Sequence, residues 1–273
     1  MTSNLAGVDA RPIGMFDSGF GGLTVARAVI DLLPAEDLVY VGDTGRYPYG
    51  PRPLDEVRGF ALEIAHHLLD RHDVKVLVVA CNTASAAALD ELREISPVPV
   101  VGVIDPGAQA VVAATRRGRV GVIGTLGTIG SGAYQRAIGE AGREVDLTCA
   151  ACPGFVEFVE RGETESEQVH VLAQRLLAPV IDADVDALLL GCTHYPFLAR
   201  TIGDVMGPDV VLVDSADATA FAVRALLDEA GLARGGGEGA HRFESSGDVE
   251  VFRTLGRRLL GPEMDHVVGI DWD

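Results

Sequence analysis

Cysteine, lysine and long apolar runs are all scarce in this chain of 273 residues. Four cysteines in a chain of this length do not make a disulfide framework, which favours a reducing compartment such as the cytoplasm. No apolar run is long enough to cross a bilayer. The first residues, MTSNLAGVDARPIG, lack the basic region and apolar core of a secretion signal. We therefore expect a cytoplasmic protein that has no membrane partner.

Basic residues are also few, because 22 lysines and arginines stand against 40 acidic residues, which gives a formal net charge of −18. Contacts to phosphate need clustered basic side chains, so direct binding to nucleic acid is disfavoured. An acidic surface does not exclude a small anionic substrate in a locally shielded pocket. Aromatic residues make up only 5% of the chain, so aliphatic side chains must fill its interior.

Short aliphatic runs alternate with amphipathic segments along the chain. Most of these runs lack a two-residue alternation, which is typical of strands that are covered on both faces in a parallel sheet. Helices are predicted at 54–71 and at 164–181, where Thr164 and Glu167 resemble a capping box. The alternation predicts an α/β protein. Strands are predicted at 12–16, 38–42, 74–80, 98–103, 119–124, 145–150, 185–191 and 209–213.

Two pairs of similar segments indicate a duplicated unit. IGMFDSG at 13–19 resembles VGVIGTLG at 120–127, and LVVACNTA at 77–84 resembles LLLGCTHY at 188–195. We therefore expect two pseudo-symmetric, doubly wound domains with mostly parallel sheets and an active site in the cleft between them. The last segment, 241–260, predicts a strand and a helix that return to the first half. The first domain would contain residues 1–104 and 215–273, and the second would contain residues 105–214.

Cys81 and Cys192 each follow a predicted buried strand, at the edge where open α/β sheets bind ligands. A single cysteine there could equally be a small core residue. Two cysteines at equivalent places in two similar halves favour a ligand site. If the halves face each other, the two thiols approach one ligand from opposite sides, with the sulfurs roughly 7 Å apart. This arrangement suits the removal of a proton from one face of a carbon and its delivery to the other face.

Polar residues near these cysteines are candidates for supporting roles. His194 lies two residues after Cys192 and could assist its thiol, although a surface or capping histidine fits the pattern too. Asp17 begins the glycine-rich loop DSGFGG, where it could orient a thiol or simply cap a helix. Asp43, Tyr49 and Gly50 could line the mouth of the cleft. The remaining histidines of one amphipathic helix are interpreted as solvent-facing: His66, His67 and His72.

Two other chemistries are disfavoured. The Cys149–Cys152 pair has no second ligand pair, so zinc is not expected, and a proline and a glycine follow it where a thioredoxin-like site would begin a helix. Lys75 is the only lysine, and it begins the strand that Cys81 ends, roughly 20 Å away along the strand. This position disfavours a pyridoxal phosphate Schiff base, and we expect neither a cofactor nor a metal.

Five stretches resemble, in order, the signature motifs of the bacterial glutamate racemase family. They are FDSGFGGLTV (16–25), GDTGRYPYG (42–50), ACNTASA (80–86), CPGFVEFVERG (152–162) and GCTHYPFL (191–198). The resemblance implies a cofactor-independent racemase that supplies D-glutamate for peptidoglycan. It implies that Cys81 acts on D-glutamate and Cys192 acts on L-glutamate.

The same resemblance assigns the supporting residues. Asp17 would assist Cys81, while Glu160 and His194 would assist Cys192. Thr128 is a further candidate at the same turn as Thr125. The implied substrate contacts are Asp17, Ser18, Tyr49, Gly50, Asn82, Thr83, Thr125, Thr193 and His194.

Other readings stay open at this point. An aspartate or hydantoin racemase of the same superfamily would share these motifs, and a non-catalytic binder of acidic amino acids could line a pocket with the same cysteines. A homodimer is expected. An interaction with DNA gyrase is implied by the family resemblance alone.

Overall fold

The computed structural model describes residues 9–272, and it contains two parallel sheets flanked by helices. The expected α/β class is therefore confirmed. Residues 1–8, which begin the stretch interpreted above as lacking a secretion signal, and residue 273 lie outside the described residues.

The first sheet combines the N-terminal half with the last part of the chain. Its strands are β1 (Ile13–Asp17), β2 (Leu38–Gly42), β3 (Val76–Val79), β4 (Val100–Gly102), β9 (His241–Ser245) and β10 (Val267–Gly269). They lie in the order β10-β9-β2-β1-β3-β4, and every neighbouring pair is parallel. The predicted return of the C-terminal segment is confirmed, because β9 pairs with β2. The short strand β10 was not predicted.

The second sheet lies in the middle of the chain. Its strands are β5 (Arg119–Gly124), β6 (Asp146–Ala151), β7 (Ala187–Gly191) and β8 (Val211–Val213). They are parallel and lie in the order β6-β5-β7-β8. The same order, second-first-third-fourth, occurs in β2-β1-β3-β4, so the internal similarity of the sequence has a counterpart in the topology. The domain boundaries at 104/105 and 214/215 stay a prediction.

The helices cover both faces of each sheet, and four apolar clusters fill the layers between them. Both central strands β1 and β7 are buried at every residue, as the continuous aliphatic runs predict. Two short 3-10 helices lie at Tyr195–Leu198 and Pro262–Asp265. The α-helices are α1 (Leu23–Leu32), α2 (Leu54–His72), α3 (Asn82–Ile95), α4 (Ile104–Ala114), α5 (Leu126–Gly130), α6 (Ala133–Glu140), α7 (Phe155–Arg161), α8 (Glu167–Leu176), α9 (Ala178–Asp182), α10 (Ala199–Met206), α11 (Ala216–Ala230) and α12 (Val249–Leu259).

The helix predicted at 164–181 is wrong in its bounds and in its cap. Helix α8 begins at Glu167, and the Ser166 hydroxyl accepts the backbone N–H of Val169, so Ser166 rather than Thr164 is the cap. The segment also divides into α8 and α9, with Pro179 in the first turn of α9. A proline has no backbone N–H to continue the preceding helix, which explains the break.

The prediction that all three histidines of α2 face solvent is also wrong. His66 is exposed, but the side chains of His67 and His72 are only 19% and 15% exposed and lie against Glu244 of β9. The returning strand covers this side of α2, and that long-range packing is invisible in the local pattern. Among the described residues, none of the helices is both long enough and apolar enough to traverse a bilayer.

Candidate active site

Cys81 and Cys192 line one cavity. Cys81 follows β3 in the first sheet and Cys192 follows β7 in the second, so the cavity lies where central strands of both sheets end. Both side chains are nearly buried, at 5% and 6% exposure. The other predicted site residues that line the cavity are Ser18, Tyr49, Gly50, Asn82, Thr83, Thr125, Thr193 and His194.

Asp17, Asp43 and Glu160 are not part of the cavity wall, so the expectation for Asp43 is wrong. Asp17 ends β1 and is fully buried, and Glu160 lies on α7 with one carboxylate oxygen 3.7 Å from His194 Nε2. Glu160 therefore lies next to His194, which is itself part of the wall.

Several residues of the wall were not predicted from the sequence. Cys152 is the most informative, because it follows β6 just as Cys81 follows β3. The rule that ligands bind where parallel strands end would have found it. The others are Tyr47, Pro48, Pro51, Leu126, Pro153, Gly154, Val156, Glu157 and Tyr195.

The Cys81 thiol is held at the N-terminus of α3. Its sulfur accepts the backbone N–H of Ala84 at 3.4 Å and lies 3.7 Å from the Ser18 hydroxyl oxygen. Burial, together with the negative charge of Asp17, raises the pKa of Cys81 to about 12, despite these contacts. Cys81 therefore carries its proton at neutral pH.

The Cys192 thiol has an imidazole beside it. The distance between Cys192 Sγ and His194 Nδ1 is 3.9 Å, within the range of a sulfur hydrogen bond. Burial acts to lower the pKa of His194, but the contacts with Cys192 and Glu160 and the charge of Asp17 outweigh it and raise the pKa to about 10. His194 is therefore an imidazolium at neutral pH, and it places a positive charge next to the Cys192 sulfur.

Asp17 connects the surroundings of the two cysteines. One of its oxygens accepts the backbone N–H of Gly19 at 3.0 Å. Burial raises the pKa of Asp17, while the nearby His194 acts in the opposite direction. The negative charge of Asp17 acts to raise the pKa of both Cys81 and His194.

Hydroxyl groups join the two halves across the cleft. The Thr83 hydroxyl at the start of α3 lies 3.0 Å from that of Thr125 and 3.2 Å from that of Thr128. The backbone N–H of Gly127 donates to the Gly50 carbonyl at 3.0 Å. These contacts place hydrogen-bond donors from both halves around the same cavity.

Gly21 of the DSGFGG loop has no room for a side chain. A Cβ atom at Gly21 would collide with the Thr193 hydroxyl and the His194 ring. Only glycine lets the DSGFGG loop approach the Cys192 loop this closely.

Within residues 9–272, no lysine or arginine lines the cavity. Arg46 forms ion pairs with Asp43 and Glu63, and the half-exposed Arg161 pairs with Glu163. Lys75 is fully buried and pairs with Glu36 before β3 begins, at the opposite end of the strand from Cys81. A bound carboxylate would therefore be held by hydroxyl, amide and backbone N–H groups.

Several buried polar atoms around the cavity have no hydrogen-bond partner among residues 9–272. Buried polar groups in proteins are almost always paired, so these atoms indicate where a polar ligand or water binds. They are Asp17 Oδ1, the Tyr47 hydroxyl, Asn82 Nδ2, Glu160 Oε1 and His194 Nε2.

Comparison with known proteins gives a consistent result. Residues 18–223 match the family model for Asp/Glu/hydantoin racemases. The chain is 53% identical over 258 residues to a glutamate racemase of Acidothermus cellulolyticus, with 94% of this chain and 97% of that protein covered.

Two solved structures are similar over nearly the whole chain. The glutamate racemase isoform RacE1 from Bacillus anthracis is 40% identical with a TM-score of 0.90, covering 96% of this chain and 97% of that one. The glutamate racemase from Francisella tularensis in complex with D-glutamate is 35% identical with a TM-score of 0.90, covering 97% and 98%. Together with the two cysteines in one cavity, these similarities establish that the chain belongs to the glutamate racemase family.

Proposed function

We propose that this chain interconverts L- and D-glutamate by two-base proton transfer between Cys81 and Cys192, without a cofactor. The observation that carries the proposal is that the two thiols reach one cavity from strands of two different sheets. A carbon held between them can lose a proton on one face and gain one on the other. The D-glutamate complex of the Francisella tularensis relative supports glutamate as the ligand.

The surroundings of the two thiols support a different role for each in the reaction of L-glutamate. Cys81, with a pKa of about 12, holds a proton and can deliver it as an acid. Cys192 Sγ lies 3.9 Å from His194 Nδ1, and we assign Cys192 the role of the base that removes the α-proton of L-glutamate. In the reaction of L-glutamate, the thiolate form of Cys192 removes the α-proton and the Cys81 thiol protonates the opposite face. After the transfer the roles are reversed, and the enzyme is ready for D-glutamate.

Asp17, Glu160 and His194 support these transfers in the proposal. Glu160 pairs with the imidazolium and holds its ring toward Cys192. Asp17 lies close enough for its charge to act on Cys81, and we assign it the task of assisting that thiol as the proton leaves and returns. The groups proposed to hold the substrate's polar atoms are Ser18, Tyr49, Gly50, Asn82, Thr83, Thr125, Thr193 and His194.

The α-proton of an amino acid is very weakly acidic, and a thiolate is a weak base. Oriented donors around the developing carbanion must therefore supply most of the acceleration, in a site from which water is excluded. The nearly complete burial of both cysteines supports this requirement. We further propose that residues 1–104 with 215–273 and residues 105–214 form two domains whose closure excludes water around bound glutamate.

The cellular setting follows from family membership. The reaction would supply D-glutamate for peptidoglycan in the cytoplasm. Assembly into a homodimer and an interaction with DNA gyrase stay predictions that rest on the resemblance alone.

The test is deuterium incorporation at the α-carbon. Each enantiomer of glutamate is incubated with the protein in heavy water, with and without added pyridoxal phosphate, and aspartate is run in parallel. We expect exchange and racemisation of both glutamate enantiomers, unchanged by the cofactor. If the protein binds glutamate but leaves its α-hydrogen in place, it is a binder and not a racemase. If aspartate is turned over faster than glutamate, aspartate is the substrate.

A further inference from the structure

A second cluster of ligand-type side chains lies where the C-terminal segment joins the first sheet. His67 and His72 come from the last turns of α2, and Glu244 comes from β9. The Glu244 side chain is only 2% exposed, and β9 lies between two neighbouring strands. Burying a carboxylate is costly unless partners compensate its charge, so the side chains that surround it are informative.

Both imidazoles direct Nε2 at this one carboxylate. His67 Nε2 lies 2.8 Å from Glu244 Oε2, and His72 Nε2 lies 3.1 Å from Glu244 Oε1. The three ligand atoms lie within 4.8 Å of one another. His72 Nε2 is buried and makes no well-oriented hydrogen bond within residues 9–272.

Two imidazole nitrogens and a carboxylate oxygen are a donor set suited to zinc, cobalt or nickel rather than to magnesium or calcium. In a tetrahedral zinc site, ligand bonds near 2.05 Å separate the donor atoms by about 3.3 Å. The two distances between imidazole nitrogen and carboxylate oxygen, 2.8 and 3.1 Å, are close to that value. We propose that His67, His72 and Glu244 bind one divalent transition-metal ion, with water in the fourth position.

The surroundings fit such a site. Arg242 Nε donates to Glu244 Oε1 at 2.7 Å and orients the carboxylate from outside, as outer-shell partners of metal ligands do. The edge of the Trp272 ring system packs on His67, with the ring centroids 5.6 Å apart. Two of the three ligands, Glu244 and His67, are therefore contacted by further residues of the C-terminal segment.

The site lies apart from the cysteines. The metal joins α2 to β9, and Trp272 in turn donates to Asp43 Oδ1 at 2.7 Å. Asp43 is hydrogen-bonded to the Tyr49 hydroxyl, and Tyr49 lines the cavity. Metal binding therefore stabilises the attachment of the C-terminal segment behind the cavity wall.

The experiment uses the full chain with any oligohistidine tag removed, because such tags bind the same metals. Zinc and cobalt(II) uptake is measured by equilibrium dialysis with metal analysis, and the melting temperature is followed with and without zinc. We expect one ion per chain and a melting temperature that rises with zinc. His72→Gln and Glu244→Gln should each weaken binding by about tenfold or more and reduce the zinc-dependent shift correspondingly.

His66→Gln is the matched control, because His66 is exposed on the same helix turn and should leave binding unchanged. Circular dichroism shows whether each variant is folded, and His72→Gln should retain racemisation, which separates this proposal from the proposed function. No uptake by the wild-type chain, or equal uptake by His72→Gln, would overturn the site. A cobalt spectrum with thiolate charge-transfer bands would do the same, because it would place the metal on cysteine.

Discussion

Replacing Cys192 by alanine isolates the chemistry of Cys81, whose pKa is raised to about 12 by burial and by the charge of Asp17. Racemisation needs both thiols, so we expect it to fall by a factor of about 10³ or more. The variant should still exchange the α-hydrogen of D-glutamate, because Cys81 can remove a proton and return a deuteron to the same face. L-glutamate should not exchange, since its α-proton points toward the missing sulfur.

The pH dependence of D-glutamate exchange in Cys192→Ala follows from the thiolate fraction of Cys81. A thiol with a pKa of about 12 is about 10⁻⁴ thiolate at pH 8, and this fraction rises about tenfold for each pH unit up to pH 10. A cysteine at its ordinary value of about 8.5 would be about one quarter thiolate at pH 8, and exchange would level off near pH 9. The exchange rate of D-glutamate should therefore keep rising over this range.

Proton NMR in heavy water measures this exchange, and chiral chromatography measures racemisation. Cys149→Ala is the control, because Cys149 is absent from the cavity wall and the variant should behave as the wild type. Exchange of both enantiomers at equal rates, or a plateau near pH 9, would refute the reasoning about Cys81. Near-normal racemisation by Cys192→Ala would refute the two-thiol scheme itself.

Three further predictions concern the site and the stability of the fold. His194→Gln removes the imidazolium and should lower kcat/KM about 10²-fold or more. The loss should be equal in both directions, because the interconversion of two enantiomers has an equilibrium constant of one. Polarimetry measures the rate in both directions. Gly21→Ala would press a methyl group into the His194 ring and should abolish activity, whereas Gly59→Ala, which meets nothing within 4 Å, should not. Burial acts to raise the pKa of Asp186, but hydrogen bonds from a threonine hydroxyl and backbone N–H groups outweigh it and lower the pKa from 3.8 to about 2. This depressed pKa contributes about 2 kcal/mol to the free energy of unfolding, which is present above pH 4 and is lost as the pH falls through 2. Asp186→Asn should therefore lower the free energy of unfolding at pH 7 by about that much, as measured by urea unfolding. The matched variant Asp184→Asn, at an exposed position, should lower it less.

Each of these predictions has a contrary result. An unchanged kcat/KM in His194→Gln would mean that the imidazolium does not support the proton transfers. Full activity of Gly21→Ala would mean that the two loops are not in close contact. An Asp186→Asn deficit that persists at pH 2 would mean that packing, and not the charge, carries the effect.

The strands were predictable because their signals are local. An uninterrupted aliphatic run such as that of β7 predicts a buried parallel strand, and the observed bounds of β2 and β5 coincide with the predicted ones. The helix at 164–181 was mispredicted because apolar spacing continues across Pro179, whose missing N–H divides the helix. The histidines of α2 were misassigned because the strand that covers them is more than 170 residues away in the sequence.

The sequence by itself determined the α/β class, the two cysteines at strand ends and the family, since these depend on residue types and spacing along the chain. Only the tertiary structure decided that both thiols open into one cavity, that Asp17 and Glu160 lie behind its wall, and that Cys152 and Tyr47 belong to it. The reason is physical. Burial, charge–charge distance and hence pKa arise from segments brought together over long sequence separations, and a local pattern carries no information about them.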